Sequence, residues 1–517
     1  MPLATERRGR IATVSASIAL GLVVFFAVAA RAQAELVYWD NYGAIPQSIS
    51  VANIDGSGGG GLNLTGANLD DPEGMAIDTV TGRLYVASSS GAGGKGEILF
   101  ANLDGSGAGV FSAPGAPFDE PFGVVVDPIS RMIYWANAGS GKRDGSIAWA
   151  KLDGSAGGAL NTSGATLLDP YKLGLDPVNG RVYWGNNPLG EDISIGFANV
   201  NGTGGGTLTL SRPPESAYAF AVDPAGGRLY WSEGGEERFA YTGLLGGDVG
   251  ILDTTGASIN SSYGFAIDPA ANKIYWPNYD NHEDRTNGLG FASLSGGGGG
   301  NITPQTAPFN GPQDVLVLKS PTGTGAPALA RDQKKRAKLS CSTGTWAADF
   351  AGSFVYQAPT TYAYQWLRDS KPVTGATAAT FTAKAAGSYT CAVTAANQAG
   401  SAAQTSAAIN VKASKLKLTT KKKANADAGD VVAFKVKAVN QGDLKPKNAK
   451  VCVKVPTAAK DDLKAPKCKK ASVKGRAMKT LTIKVKVKGG ADEGTDKLIF
   501  QVKGSAGKPA KSKIVVR

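Results

Sequence analysis

The sequence predicts an all-β protein, a six-bladed β-propeller followed by two β-sandwich domains. Three observations carry that prediction. A Tyr-Trp or Tyr-Val pair recurs six times at intervals of 45–49 residues, a period typical of repeat architectures. The 517 residues include 69 Gly and 26 Pro but only 4 Met, a composition of turns rather than long helices. After residue 330 the periodic motif gives way to four cysteines and long alternating segments, the pattern of sandwich strands.

The N-terminus reads as an export signal. Arg7, Arg8 and Arg10 precede the uncharged stretch 11–30, and Ala32-Gln33-Ala34 supplies small residues for cleavage after Ala34. The apolar stretch is about 20 residues long and would also span a bilayer if retained; cleavage is the expectation, with no transmembrane span afterwards. The expected location is extracellular, either secreted or associated with the cell surface, where Cys341, Cys391, Cys452 and Cys468 pair rather than stay free. The expected divisions are a signal peptide (1–34), a propeller (35–320), a polar linker (321–328), a first sandwich (329–412) and a basic sandwich (413–517).

The repeat pairs are Tyr38-Trp39, Tyr85-Val86, Tyr134-Trp135, Tyr183-Trp184, Tyr230-Trp231 and Tyr275-Trp276. Seven residues before five of these tyrosines stand Asp78, Asp127, Asp176, Asp223 and Asp268. A small turn follows each pair, as in Asp55-Gly56-Ser57, Asp104-Gly105-Ser106 and Asp153-Gly154-Ser155. Each repeat thus divides into four short strands, in the third at 122–126, 132–135, 146–152 and 159–160, which is the make-up of a propeller blade. The first repeat lacks an inner strand, and residues 314–318 can supply it, so that the end of the domain closes on its beginning.

These residues resemble the YWTD repeats of the low-density-lipoprotein-receptor family (class B repeats), although the motif here reads Tyr-Trp-x-Asn, as in Tyr134-Trp135-Ala136-Asn137 and Tyr183-Trp184-Gly185-Asn186. The resemblance implies a six-bladed propeller that binds partners and does no chemistry. The cysteine-rich module that follows in that family is absent, so receptor function is not implied.

Superposing the repeats places Glu73, Phe122, Tyr171, Tyr218, Tyr263 and Gln313 at one position, five residues before the inner-strand aspartate or its equivalent. All six belong near one mouth of the central channel. If they face inward, they form a ligand-binding ring, because aromatic faces stack on sugars or hold cations. The alternative is that they pack between blades and only their edges reach water. Asp70, Asp71, Asp119, Glu120, Asp169 and Glu215 flank this mouth. A calcium ion on that rim would suit carboxylate oxygens, but no regular calcium loop is present and no cofactor is expected. The recurring Asp and Tyr-Trp residues read as turn formers and inter-sheet packing. His282, the single histidine, lies in a polar loop without a Ser or Cys motif, so no catalytic residue is assigned.

Further on, Cys341, Trp366 and Tyr389-Thr390-Cys391 resemble the immunoglobulin-like repeats of exported bacterial proteins. That resemblance implies a Cys341–Cys391 bond against Trp366 and a corner at Tyr389. The interval from Cys341 to Trp366 is long for the family. An inserted loop at 346–361 absorbs the excess, and its Trp346, Phe350, Phe354 and Tyr356 read as extra core in preference to a sticky tip. Beyond residue 415, alternation such as Val432-Ala433-Phe434-Lys435-Val436-Lys437 marks strands with one wet face. This segment resembles the seven-stranded sandwich repeats of bacterial surface proteins, and Cys452 and Cys468, flanking a hairpin-sized loop, are expected to bond. The domain combination and Ala/Gly-rich composition suggest a bacterial source.

The net charge of +13 is segregated: −16 over 35–330, +6 over 331–412 and +20 over 413–517. Such a division implies different partners at the two ends. The basic end suits an anionic wall polymer or lipid surface, although lysines on exposed strands also serve solubility. Nucleic acid is not expected, because only Arg476 and Arg517 among the basic residues after 412 are arginine and only Phe434 and Phe500 are aromatic.

The expected function is therefore an extracellular binding or adhesion protein, not an enzyme, with a protein or glycan ligand at the propeller. The alternatives are a propeller enzyme of the metal-assisted lyase or lactonase type and a passive surface-layer spacer.

Overall fold

The computed structural model describes residues 35–91, 94–139, 144–186, 193–233, 237–279 and 288–517. The export segment 1–34 and His282 lie outside the described residues. Among the described residues, the only helical elements are the single 3-10 turns Ala351–Ser353 and Thr457–Ala459. Among the described residues, no helix is long and apolar enough to cross a membrane.

Six antiparallel sheets form the propeller. Blade 2 runs from the inner strand Pro72–Asp78 through Arg83–Ser88 and Glu97–Asn102 to Gly109–Val110. Blade 3 follows as Pro121–Asp127, Met132–Asn137, Ser146–Lys151 and Gly157–Ala159. Blades 4, 5 and 6 begin at Pro170–Asp176, Phe220–Asp223 and Ala266–Asp268. Blade 1 is closed by a strand from the far end of the domain: Val315–Lys319 pairs with Glu35–Asn41, with Leu36 opposite Leu318 and Trp39 opposite Val315. A Lys319–Asp268 ion pair at 2.5 Å ties this closing strand to blade 6.

The repeated residues serve the ring. Asp78, Asp127, Asp176, Asp223 and Asp268 each accept a backbone N–H from the turn after the inner strand, as in Asp176 from Val178 at 3.0 Å. The tryptophans are fully buried. Four of them, Trp39, Trp135, Trp184 and Trp276, donate the indole N–H to a carbonyl in the loop entering their own blade. That satisfies the polar end of a large apolar side chain.

The first sandwich places Cys341–Cys391 beside Trp366 in one core, and Tyr389 donates its hydroxyl to the Ala385 carbonyl at 2.8 Å. Two differences from expectation appear here. The stretch 321–328 is not a free linker, because Gly323–Gly325 pairs with Thr345–Trp346. The loop 346–361 is divided: Trp346 packs against the core of its own domain, as expected, but from Phe350 onward the loop plugs the propeller. Val355–Tyr356 adds as a parallel strand to the channel-side edge of the closing strand, with Val317 opposite Val355. Phe350, Phe354, Val355 and Tyr356 pack into the propeller core. Ser353 donates to the Val222 carbonyl and Thr79 to Asp349. Gly352 sits so close to the inner strand of blade 4 that a Cβ there would meet the Leu175 oxygen at 1.7 Å. The physical reason is apolar burial: the inner-strand ends at this mouth would otherwise expose their side chains, and the loop covers them.

The C-terminal domain stacks two five-stranded sheets, rather than a seven-stranded set, around Phe434, Phe500, Ile483 and Ile514. Cys452 bonds Cys468. Buried Asp443 joins the two sandwiches, pairing with Arg331 and Arg476 at 3.0 Å each.

Phe354→Ala is expected to cost about 3–5 kcal/mol, the range for deleting a buried phenylalanine ring. It should also separate a shared propeller–sandwich unfolding transition into two in scanning calorimetry.

Candidate functional site

The mouth opposite the plug is the best-formed site on the propeller. All six superposed residues, Glu73, Phe122, Tyr171, Tyr218, Tyr263 and Gln313, line one cavity of about 250 Å3. The same cavity is lined by Tyr42, Tyr279 and Lys172, which the superposition did not include. The aromatic rings touch in sequence around the mouth. Centroid separations are 4.6 Å for Phe122–Tyr171, 5.8 Å for Tyr171–Tyr218, 5.3 Å for Tyr218–Tyr263 and 5.5 Å for Tyr263–Tyr279, and Tyr42 extends the row at 6.3 Å from Tyr279. Phe122 and the tyrosines at 171, 218 and 263 are half-buried, so the two readings of these aromatics merge: they pack on one another and still line an open well.

The collar is held by a hydrogen bond repeated in every blade. The side chain two residues after the repeat's Trp or Val accepts the backbone N–H of the residue three positions before the collar residue. Asn41 accepts from Asn310, Ser88 from Asp70, Asn137 from Asp119, Asn186 from Leu168, Glu233 from Glu215 and Asn278 from Asn260, at 2.7–3.4 Å. In blade 5, Glu233 is buried and bound by Arg212 and Arg238. Despite the burial that raises it, these cations hold its carboxyl below the ordinary value.

Beneath the collar lies a second layer, one residue further along each inner strand: Gly74, Gly123, Lys172, Ala219, Gly264 and Asp314. Four blades contribute Gly or Ala, and the two charged residues come from blades 4 and 1, on opposite sides of the ring. The small residues make room: a Cβ on Gly123 would meet the Lys172 Cα at 2.6 Å, and one on Gly264 would meet Asp314 Oδ1 at 2.2 Å. Asp314 accepts the Met75 N–H at 2.7 Å, and the adjacent buried Asp40 accepts the Gln313 and Asp314 N–H groups at 2.6 and 2.9 Å. Lys172 Nζ and Asp40 Oδ2 are buried and have no protein hydrogen-bond partner among the described residues. Burial pushes the Asp40 carboxyl up to about 7 and the Glu73 carboxyl up to about 8, against the opposing pull of Lys172. Burial raises Asp314 as well.

Below this layer the channel ends. A void of only about 10 Å3 separates Lys172 and Asp314 from Phe354 of the plug, near the least volume that admits a single water. Two of the rim carboxylates are engaged by neighbouring side chains: Asp71 bonds Gln47 and Ser90, and Glu215 bonds Arg238. Among the described residues no group of three or more His, Cys, Asp or Glu is placed to hold a metal ion.

A second surface stands out on the basic sandwich. In one sheet, Lys423, Lys513 and Lys497 are register partners in one row, and Lys470, Lys450 and Lys503 in another. All six are exposed. Neighbouring strands lie about 4.8 Å apart, and like charges directly opposite are destabilising. Among the described residues, no ion pair neutralises these lysines; the domain's ion pairs run through Asp443.

No protein-family model matches the chain, and no curated protein matches it. Among solved structures it is similar to Kuenenia stuttgartiensis hydrazine synthase at 14% identity, covering 48% of this chain and 71% of that one with a TM-score of 0.35. TolB from Acinetobacter baumannii is 14% identical, with 52% and 65% covered and a TM-score of 0.38. A protein from Lactobacillus plantarum is 16% identical, with 55% and 99% covered and a TM-score of 0.37. At these values the likeness carries no functional argument, and the six-bladed ring rests on its own strand pairing.

Two outcomes follow from the geometry. Asn186→Ala removes the acceptor for the Leu168 N–H and should cost about 1–3 kcal/mol, the penalty for an orphaned buried donor, read by denaturant unfolding. Asp40 and Glu73 hold their protons more tightly folded than unfolded. Between about pH 4, the ordinary carboxylate range, and the folded values of about 7 and about 8, the folded state therefore binds more protons. Its stability should fall as pH rises through that window and level off above it. The thermal midpoint should drop from pH 5 to pH 8.5, and Glu73→Gln should flatten the slope.

Proposed function

We propose that this chain is an exported binding protein of the cell exterior, whose propeller takes a protein or glycan ligand at its aromatic mouth and whose C-terminal sandwich rests on an anionic surface. The observation that carries this reading is the collar, six touching aromatic rings around an open cavity of about 250 Å3 over buried polar groups. Apolar walls with a few convergent polar groups are the usual make-up of a ligand site. Two disulfides belong to an oxidising compartment, extracellular or periplasmic, which favours export. The lysine rows favour the second half of the reading, because an arrangement that repels itself when bare gains most from a polyanion or anionic headgroups laid across it.

The finer assignments go with this reading. The repeats are taken as YWTD-like on their Tyr-Trp motif, and the first sandwich as immunoglobulin-like on Cys341, Trp366, Tyr389 and Cys391. Binding is preferred to catalysis, since the mouth gathers aromatic rings and no nucleophile paired with a base.

The test is binding of the mature chain to isolated envelopes across a salt series. Reversing Lys450, Lys497, Lys503 and Lys513 to Glu should abolish the salt-sensitive part. Tyr218→Ala with Tyr263→Ala should lower the salt-resistant part by about tenfold, from the loss of two aromatic contacts. Salt-resistant binding that the tyrosine pair leaves unchanged would move the ligand away from the mouth.

A further inference from the structure

The propeller mouth is a well with a closed floor, and its polar equipment is mixed. The plug seals the far end, so nothing threads the channel: below Lys172 and Asp314 only the void of about 10 Å3 intervenes before Phe354. Whatever enters does so from one side and stops at the second layer. There it meets Lys172, which lines the cavity and whose buried Nζ has no protein acceptor among the described residues, and a buried residue, Glu73, that lines the same cavity. An unpaired buried polar group is costly unless a water or ligand satisfies it.

Each class of ligand meets these groups differently. A cationic group would suit the aromatic collar but is brought against Lys172. A carboxylate or phosphate would suit Lys172 but has to compete for that one ammonium with Glu73, Asp40 and Asp314, whose charged forms Lys172 already favours. A neutral ring bearing several hydroxyls satisfies all of them at once: one hydroxyl oxygen accepts from Lys172 Nζ, a hydroxyl proton goes to Glu73, and the ring's C–H face lies on the aromatic edges. The cavity of about 250 Å3 has room for such a ring.

We propose that the mouth binds the terminal residue of a neutral glycan, end-on, with Lys172 and Glu73 bonding its hydroxyls and the collar of Tyr171, Tyr218 and Tyr263 packing on its ring. This rests on the reading of the mouth as the ligand site and names the ligand's class and the end by which it is held. End-on capture in a closed well has a signature of its own. Affinity is set by the first sugar unit, and units beyond it extend into solvent.

The experiment is calorimetric titration of the mature chain with neutral hexoses and N-acetylhexosamines, each as a mono- to tetrasaccharide series, and with tetramethylammonium and acetate as charged probes. The expected result is 1:1 binding by one series, with affinity changing by less than about threefold beyond the first unit. Lys172→Met should weaken it by about tenfold or more, the effect of losing a hydrogen bond to a charged donor. If that variant does not fold, the Tyr218→Ala, Tyr263→Ala pair, whose side chains reach solvent, should do the same. Affinity that climbs with every added unit would overturn end-on capture, because the chain would then lie across the rim. Binding of tetramethylammonium or acetate in place of sugars would overturn the glycan assignment while leaving the mouth as the site. Sugar binding undiminished in the tyrosine pair would overturn the mouth reading itself.

Discussion

Everything in the propeller depends on one long-range pairing, that of Glu35–Asn41 with Val315–Lys319. The strands lie nearly three hundred residues apart in sequence, and their register sets the ring. With Leu36 opposite Leu318, the first blade acquires its inner strand, and Gln313 and Asp314 take the places in the collar and in the layer beneath that the other blades fill from within. Without it, one wall of the well is missing and an inner edge is open. The edge facing the channel is then covered by Val355–Tyr356 from the next domain. The first sandwich is therefore a structural part of the propeller and not a bead on a string. Ring closure comes first, the plug docks on the strand that closes it, and the plug makes a passage into a well.

A second constraint repeats around the ring. The polar acceptor two residues beyond the repeat's Trp or Val takes the N–H three positions before each collar residue in all six blades. The same fixed offset explains how the side chain can change from Asn to Ser in blade 2 and to Glu in blade 5 while the backbone it holds stays put: only an acceptor is required. In blade 5 the larger carboxylate draws in Arg212 and Arg238, which neutralise a charge that would otherwise be buried alone. The sixfold regularity belongs to the scaffold. What differs from blade to blade is Glu73 among aromatics and Lys172 and Asp314 among small residues.

Much of this is legible in the sequence. The period of the Tyr-Trp pairs yields the blade count, and superposing the repeats places all six collar residues, because a propeller converts equal offsets into equal positions around an axis. The same arithmetic would have found Lys172 and Asp314, the only charges in a column otherwise of Gly and Ala, and Tyr42 and Tyr279, each four residues after a repeat tyrosine. The signal was present at those positions but is faint without the layer it belongs to. The plug was not legible. Phe350, Phe354 and Tyr356 announce apolar burial, but composition does not say against which domain. Their partner is fixed by the tertiary approach of two units, down to a glycine, Gly352, that fits where no Cβ would.

The account's central claim is that plug and ring form one closed well, and hydrogen exchange tests it most directly. The Val317 N–H is bonded to the Phe354 carbonyl across the plug contact at 3.1 Å. If the plug is integral, this amide exchanges only with global unfolding, at the rate of the inner-strand amides around it. Fast exchange at Val317 while those inner-strand amides stay protected would show the plug opening on its own, and would contradict the closed well.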